Sequence, residues 1–290
     1  MNELLTHIKP HSLLNQITQT TLEPLVLYCA NAGLENQTYM QSAGLYVVVQ
    51  GEKVIRIGEQ EYCLETGDMM CYFTDLPILT KVVVADISAP YYGLNIKLDY
   101  TALASLAEQL PRNEQSCLTP QVVQISPPLC NVLARLTRLL DYPNDVSFLL
   151  PLFQAEIYYY LLKSELGGYL RRQLSRGQAF SQINRAIQWV CHHFREPLDV
   201  DRLAQEVGMS RSNFYLHFKE TTKLTPLQYQ KSLRLIEAKK LIKQRKINIS
   251  AIAFEVGYES ASQFSREYSR YFGISPQQER TGGVNTNNTF

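Results

Sequence analysis

The amino-acid sequence predicts an α+β protein with a strand-rich N-terminal half and an all-helical C-terminal half. Residues 45–100 alternate runs of β-branched and aromatic residues with turn signals, which is typical of short strands. After residue 100, apolar residues recur three and four positions apart, which predicts helices. Charge divides the chain in a similar way. Residues 1–170 carry 9 Lys+Arg against 17 Asp+Glu, whereas residues 171–290 carry 19 against 10. This suggests that only the second half meets a polyanion, although charge also varies between domains without such a reason.

The turn signals in the N-terminal half separate short strands at a spacing that predicts a small barrel or sandwich. They are Gly51-Glu52, Gly58-Glu59 and Gly67-Asp68. Three helical segments follow: "YTALASLAEQL", "PPLCNVLARLTRLLDY" and "DVSFLLPLFQAEIYYYLLKSELGGYLRRQL". The third is apolar around much of its circumference. We expect such a helix either to lie in the core or to pack against a second copy of the chain.

A polar, basic segment that contains Gly177, "RRQLSRGQAFSQ" at residues 171–182, is the predicted linker. It separates an N-terminal domain at 1–170 from a helical domain at 183–280. Residues 281–290 are predicted to form a disordered tail.

The helical half contains an internal repeat. The segment "LAQEVGMSRSNFYLHFK" at 203–219 matches "IAFEVGYESASQFSREYS" at 252–269, with aligned glycines and aromatics. Each copy is typical of a short helix, a tight turn and a second helix, which is the helix-turn-helix pattern. The expected boundary residues are Asp199, Gly208 and Ser210 in the first copy, and Asn248 or Ser250, Gly257 and Ser260 in the second.

A long helix is predicted between the two copies. Thr225 and Gln228 suit a capping box, and Pro226 suits the first helical position. A helix of about 18 residues is about 27 Å long. It could hold two DNA-contacting helices roughly one turn of B-DNA, about 34 Å, apart. Its many lysines could also be merely solvated.

The strings "GYESASQFSREYSRYFGISPQQER" and "TPLQYQKSLRLIEA" resemble the AraC/XylS family of transcription regulators. The resemblance implies a DNA-binding domain, over about residues 181–280, of two helix-turn-helix units joined by a long helix. The N-terminal half resembles the cupin-like β-barrel sensing domain of one branch of this family, through "LYVVVQGEKVIRIGEQEY", "TGDMMCY" and "APYYGLNIKLD".

The resemblance also implies which residues face the major groove of DNA. They are Arg211, Ser212, Tyr215 and Lys219 in the first unit, and Ala261, Ser262, Ser265 and Arg266 in the second. The family often has Arg where this chain has Leu216, so the second unit is expected to carry more base specificity. Two alternatives stay open: Arg266 could pair with Glu267 or with a partner across the helix bundle, and Tyr215 could be a packing residue.

The N-terminal half is not expected to hold a metal or a cofactor, because no histidine lies between residues 12 and 191. Carboxylates alone suit Fe, Zn or Cu poorly. No glycine-rich phosphate loop or nucleophile elbow is present, so an enzyme is not expected. Inward residues could instead bind a small-molecule effector or simply fill the barrel. The candidates are Tyr46, Val48, Tyr62, Tyr72 and Tyr92.

Together these features predict a cytoplasmic, sequence-specific transcription regulator that responds to a small molecule or to stress. Its expected partners are double-stranded DNA, an effector and a second copy of the chain, with RNA polymerase as a possible further partner and no membrane. No secretion signal is expected, and the six cysteines are interpreted as reduced thiols, with a redox pair at Cys63 and Cys71 left open.

Two rival interpretations remain. The first is a non-regulatory cupin-type binding protein or enzyme whose helical domain mediates protein contacts. The second is a regulator without a ligand, controlled by its abundance or by a thiol.

Overall fold

The computed structural model describes residues 1–31, 37–85, 88–111 and 122–282. The chain forms two compact units, which divide after Gly177. The N-terminal unit combines β-sheets with helices, and the C-terminal unit is helical, as the α+β prediction requires. None of the helices in the described ranges is both long and apolar enough to cross a bilayer.

The described part of the N-terminal unit contains ten strands, which begin well before the predicted strand region. They are β1 (Gln16–Gln19), β2 (Leu25–Ala30), β3 (Gln37–Gln41), β4 (Gly44–Gln50), β5 (Glu52–Ile57), β6 (Gln60–Leu64), β7 (Asp68–Tyr72), β8 (Leu76–Val84), β9 (Tyr91–Ile96) and β10 (Val123–Gln124).

The strands form two antiparallel sheets, with the orders β1-β2-β9-β4-β7-β10 and β3-β8-β5-β6. The inner faces of the sheets meet, since the ring of Tyr28 on β2 lies 6.0 Å from that of Tyr39 on β3. Burial alternates along β5, where Lys53, Ile55 and Ile57 are buried. These three side chains therefore share one face of the strand, as expected for a sheet with one covered face.

The helices of this unit are α1 (Asn2–Ile8), α2 (Tyr100–Gln109), α3 (Pro127–Arg138), α4 (Val146–Lys163) and α5 (Gly167–Ser175). The prediction of a single long helix over 145–174 is thus wrong, because the helix is interrupted between Lys163 and Gly167. Ser164 takes an extended backbone conformation there, and its hydroxyl donates to the carbonyl oxygen of Leu161. A Cβ at Gly167 would lie 2.2 Å from the carbonyl oxygen of Leu162, so this close approach requires glycine.

The C-terminal unit contains the helices α6 (Gly177–His193), α7 (Val200–Glu206), α8 (Arg211–Thr222), α9 (Pro226–Gln244), α10 (Ile249–Glu255), α11 (Ala261–Phe272) and α12 (Pro276–Gly282). The helix α12 includes residues 281 and 282, which were expected in the disordered tail; residues 283–290 lie outside the described range.

The predicted linker at 171–182 is helical apart from Arg176, because it forms the end of α5 and the start of α6. Buried side chains anchor both helices. Leu170 and Gln173 are buried in α5, and Ile183 in α6. Polar composition alone therefore misrepresented this segment, although the division between the units falls inside it.

Candidate functional site

The first helix-turn-helix unit consists of α7, a glycine turn and α8. The side chain of Asp199 caps α7 by accepting from two backbone N–H groups. Gly208 has φ +77°, in the left-handed region that favours glycine. Ser210 then caps α8, whose buried face carries Phe214 and Phe218.

The second unit, α10 and α11, repeats this layout. Asn248, rather than Ser250, is the N-cap of α10, since its side chain accepts from the backbone N–H of Ala251. Gly257 has φ +94°, and Ser260 caps α11. The buried face of α11 carries Phe264, Tyr268 and Phe272. The remaining faces of α8 and α11 do not pack against these buried aromatic residues.

The long helix α9 connects the units and has 19 residues. The predicted capping box is present: the Gln228 N–H donates to Thr225 Oγ1, and the Thr225 N–H donates to Gln228 Oε1. Two of its lysines hold neighbouring helices. The Nζ of Lys231 lies 2.9 Å from Glu267, and the buried Lys239 lies 3.6 Å from Glu279. Lys231 and Lys239 therefore make contacts within the unit and are not merely solvated.

The exposed side of α8 carries three predicted DNA contacts, Arg211, Ser212 and Lys219, while Tyr215 is partly exposed. The guanidinium of Arg211 donates to Asp201 over 2.8 Å and lies 5.9 Å from the ring centre of Tyr215. This helix therefore presents a cation that already has a partner.

An apolar side chain extends the same side of α8. Leu216 is 55% exposed. The helix α8 therefore has no cation at the position where the family often has an arginine.

On α11, Ser262 and Arg266 are exposed, and Ala261 and Ser265 are partly exposed. The Oγ of Ser265 donates to the carbonyl oxygen of Ala261 over 2.9 Å, so this hydroxyl proton is already engaged. Small side chains here would let the helix backbone approach a ligand closely.

Glu267, the alternative partner expected for Arg266, is bound elsewhere. It accepts from Lys231, Gln263 and Tyr258. Burial raises the pKa of this carboxyl, but the three donors outweigh burial and leave the pKa below its usual value. Within the described ranges no acidic group pairs with Arg266, so its guanidinium is available to a ligand.

A second candidate site is a cavity between the two sheets of the N-terminal unit. Its lining is Tyr28, Cys29, Ala30, Gln37, Tyr39, Lys53, Thr80, Val82 and Tyr91. None of the predicted effector residues belongs to this set, although Tyr46 adjoins it through hydrogen bonds to Lys53 and Tyr91.

The other predicted effector residues lie at different distances from this cavity. The ring of Tyr72 is 6.5 Å from that of Tyr46, and Val48 is fully buried on the same strand as Tyr46. Tyr62 donates to Gln60 in an exposed position, and Tyr92 follows Tyr91 along the strand, so it points to the opposite face. Tyr62 and Tyr92 therefore do not line the cavity.

Lys53 is the centre of the cavity wall. Its Nζ donates to the hydroxyls of Tyr39, over 2.5 Å, and Tyr46, over 2.9 Å. It also lies 4.7 to 5.8 Å from the ring centres of four tyrosines, residues 28, 39, 46 and 91. Burial lowers the pKa of Lys53 to about 7, because a low-dielectric interior disfavours the charged amine.

Sequence analysis missed Lys53, although a signal was present. In the strand "EKVIRI", Lys53 is two and four residues from Ile55 and Ile57 and so falls on the same face of the strand. Glu52 and Arg56 fall on the opposite face. Alternation with period two therefore places a lysine on the apolar face.

The cysteines give little support to a redox pair. The five in the described ranges form no disulfide bond, and Cys117 lies outside those ranges. Cys63 is exposed, but burial raises the pKa of Cys71 to about 12, which disfavours the reactive thiolate.

Comparison with protein families gives two matches that follow the two units. Residues 21–169 match the family described as "AraC-type transcriptional regulator N-terminus", and residues 203–282 match a helix-turn-helix domain.

Similar proteins are regulators of transcription. The HTH-type transcriptional regulator GbdR of Pseudomonas aeruginosa is 39% identical over 90 residues, which are 31% of this chain and 24% of GbdR. The match thus spans about a quarter of that relative. The lactose operon transcription activator of Staphylococcus xylosus is 23% identical over 248 residues, which cover 84% of this chain and 86% of the activator.

Among solved structures, ToxT of Vibrio cholerae has a similar fold. It superposes with a TM-score of 0.53 at 12% identity, over 89% of this chain and 98% of ToxT. The N-terminal family match covers about half of the chain, and the helix-turn-helix match covers much of the rest. The protein belongs to the AraC family of transcriptional regulators.

Proposed function

We propose that this chain is a sequence-specific DNA-binding transcription regulator whose N-terminal unit senses a small molecule or a stress signal. The observation that carries the proposal is the pair of capped helices, α8 and α11, held by the single helix α9. Each of the two helices buries an aromatic face, Phe214 and Phe218 on α8 and Phe264, Tyr268 and Phe272 on α11, and leaves polar residues exposed on another face. Such a pair suits two successive major-groove contacts on double-stranded DNA.

The exposed residues suggest how DNA would be bound. Ser262 and Ala261 are small and would let α11 approach base edges, while Arg266 could bind guanine through two hydrogen bonds. On α8, Arg211 would have to exchange Asp201 for a DNA group, whereas Lys219 is positioned for a phosphate contact. The second unit should therefore contribute more base specificity than the first.

The test compares matched positions in the two helices. An operator is first selected from random DNA with the full chain, and affinity is then measured by mobility shift. Arg266→Ala should weaken binding to that operator by roughly tenfold to a hundredfold, which corresponds to ~1–3 kcal/mol. Leu216→Ala, at the equivalent position of α8, should change affinity by less than about threefold. Equal affinity of wild type and Arg266→Ala would remove Arg266 from the proposed interface.

Salt dependence provides an independent measurement. Binding should weaken steeply as salt rises, because phosphate contacts release counterions. Lys219→Ala should reduce the salt slope by about one unit without changing the preferred sequence. A slope that is the same in both proteins would argue against a phosphate contact at Lys219.

We further propose that the chain forms a homodimer through α4. The exposed apolar residues Phe148, Leu152, Ala155 and Tyr159 recur every three or four positions along this helix, and Phe148 is 79% exposed. Such a stripe suits a second copy of the same helix. Leu152→Glu should convert a dimer into a monomer in light scattering, whereas Ser105→Glu, a surface change on α2, should not. A wild-type protein that stays monomeric at high concentration would exclude this dimer.

As a regulator the chain would act on DNA in the cytoplasm, would need no catalytic activity, and would have RNA polymerase as a possible further partner. Signal binding would alter DNA binding through the segment 171–182. The rival function is a small-molecule-binding protein or enzyme with a helical interaction domain. It would be favoured if the purified protein turned over a carbonyl or sugar substrate and failed to shift any DNA, including the region upstream of the neighbouring gene.

A further inference from the structure

We propose that the cavity around Lys53 binds the carboxylate of a small organic acid, with the ammonium group of Lys53 and the hydroxyl of Thr80 as its ligands. The proposal rests on the proposed function, because it makes this cavity the sensing site of the regulator.

The first argument is charge. Lys53 is only 3% exposed, and no acidic side chain in the described part of the chain pairs with it. Its neighbours are tyrosines from four strands: Tyr28, Tyr39, Tyr46 and Tyr91. Their rings attract a cation but do not neutralise it. Burial disfavours the charged form of Lys53, and a carboxylate placed against the amine would favour that form again by pairing with it.

The second argument is the number of hydrogen-bond donors. The ammonium group of Lys53 has three donors, of which two are used by Tyr39 and Tyr46. One donor is left for a ligand. The hydroxyl of Thr80, which is 5% exposed and lines the same cavity, has no hydrogen-bond partner among the residues that the structure describes. An unsatisfied buried hydroxyl costs free energy that a ligand oxygen would recover.

The two groups lie on the same face of neighbouring strands. Lys53 on β5 is directly opposite Val82 on β8, so Thr80 is its diagonal neighbour. Diagonal neighbours on one face have Cα atoms about 7–8 Å apart, within reach of a lysine side chain. The arrangement therefore offers one cation and one hydroxyl to the same small group.

The third argument is size and polarity, which select among anions. The cavity is about 20 Å³, which is room for the centre of a water molecule or two. A carboxylate group alone would fill this space, so the rest of the acid would have to extend out of it; the lining includes the partly exposed Gln37 and Tyr39. One cation and two donors, the remaining one of Lys53 and the hydroxyl of Thr80, match a monoanion with two oxygens. They would leave a phosphate dianion with unpaired charge.

The test uses the full chain and a series of acids: acetate, butyrate, hexanoate and benzoate. Each is compared with its uncharged amide at constant ionic strength and neutral pH, and the melting temperature is recorded. At least one acid should raise the melting temperature in a concentration-dependent way while its amide does not. Lys53→Met should abolish the shift, and Thr80→Val should reduce the affinity roughly tenfold, as expected for the loss of a hydrogen bond to a charged group.

The controls keep the proposal open to refutation. Lys97→Met, which removes an exposed lysine, should respond like wild type. If no acid shifts the melting temperature, or if Lys53→Met responds as wild type does, the carboxylate site is refuted. An equal response to phosphate or chloride would show a general anion site and would also overturn the proposal. Should Lys53→Met fail to fold, Thr80→Val decides alone.

DNA binding is measured separately for each variant without acid. Lys53→Met and Thr80→Val should bind the selected operator as wild type does. If wild type bound no DNA but responded to an acid through Lys53, the proposed function would fail while the acid site stood.

Discussion

The first and second helix-turn-helix units use the same devices at the same places. Each short helix is followed by a glycine with positive φ, Gly208 or Gly257, and each 12-residue helix starts at a serine cap. The units differ in what they expose: Leu216 lies in α8 where Arg266 lies in α11, five positions after each helix begins. The repeated residues fix the backbone, whereas the divergent ones are free to set binding.

The glycines also differ in their surroundings. A Cβ on Gly257 would lie 2.2 Å from the carbonyl oxygen of Arg195, while a Cβ on Gly208 would meet only the side-chain nitrogen of Gln182, at 3.1 Å. A flexible side chain can move aside, but a backbone carbonyl moves less easily. The second unit is thus packed more tightly at its turn.

The largest expected effect follows from this contrast. Gly257→Ala should destabilise the chain by about 3 kcal/mol, from the left-handed conformation and the clash together. Gly208→Ala should cost about 1 kcal/mol, from the conformation alone. Urea denaturation of both variants measures the difference, and equal losses would contradict the tighter packing of the second unit.

A smaller effect is expected from making the surfaces alike. Leu216→Arg gives α8 the cation that α11 has, and it should add ~1–3 kcal/mol of discrimination for guanine at one further base pair. Stability should not change, because the leucine is largely exposed. Repeating the operator selection with this variant would reveal the new preference. A selected sequence identical to that of wild type would mean that α8 does not contact bases at this position.

The caps should behave alike. Ser210→Ala and Ser260→Ala each remove an oxygen that accepts from the third residue of its helix, so each should cost about 1 kcal/mol. Thermal melts of the two variants provide the comparison. A loss in one variant more than twice that in the other would show that the units are not held equally at their helix starts.

The smallest effect concerns the helix ends. Lys223 ends α8 at φ +64°, whereas Gly273 ends α11 at φ +78°. Lys223→Gly should stabilise by about 0.5 kcal/mol, because relief of the strained lysine conformation is partly offset by the greater freedom of glycine in the unfolded chain. The reciprocal Gly273→Lys should destabilise by a similar amount, since a Cβ there meets no neighbour. Changes of the same sign in both variants would contradict this account.

Much of the helical unit could be predicted because its signals are local. Asp199, Ser210, Thr225 and Ser260 cap the helices that the sequence predicts, since capping depends on a few consecutive residues. Local signals gave a wrong prediction at 164–166. The apolar periodicity there is helical, but the helix is interrupted where Gly167 packs closely against the backbone of Leu162.

The cavity could not be predicted in the same way, because sheet pairing brings distant strands together. Lys53 and Thr80 become neighbours only through the register between β5 and β8, and Tyr39 comes from a strand that the sequence analysis did not predict. The inward residues predicted from the sequence are four tyrosines and a valine, and Lys53 is not among them. Strand parity indicates which side chains face inward, but only the register shows which of them meet.

The 19-residue helix α9 sets a rotational phase as well as a distance. Each residue added to an α-helix advances it by about 1.5 Å and turns it by about 100°. One inserted residue would turn α11 away from the groove that α8 faces, whereas seven, about two turns, would restore its facing about 10 Å further along. Changes in the length of α9 are therefore compatible with two-groove binding only in steps close to whole turns, and each step would demand an operator with shifted half-sites.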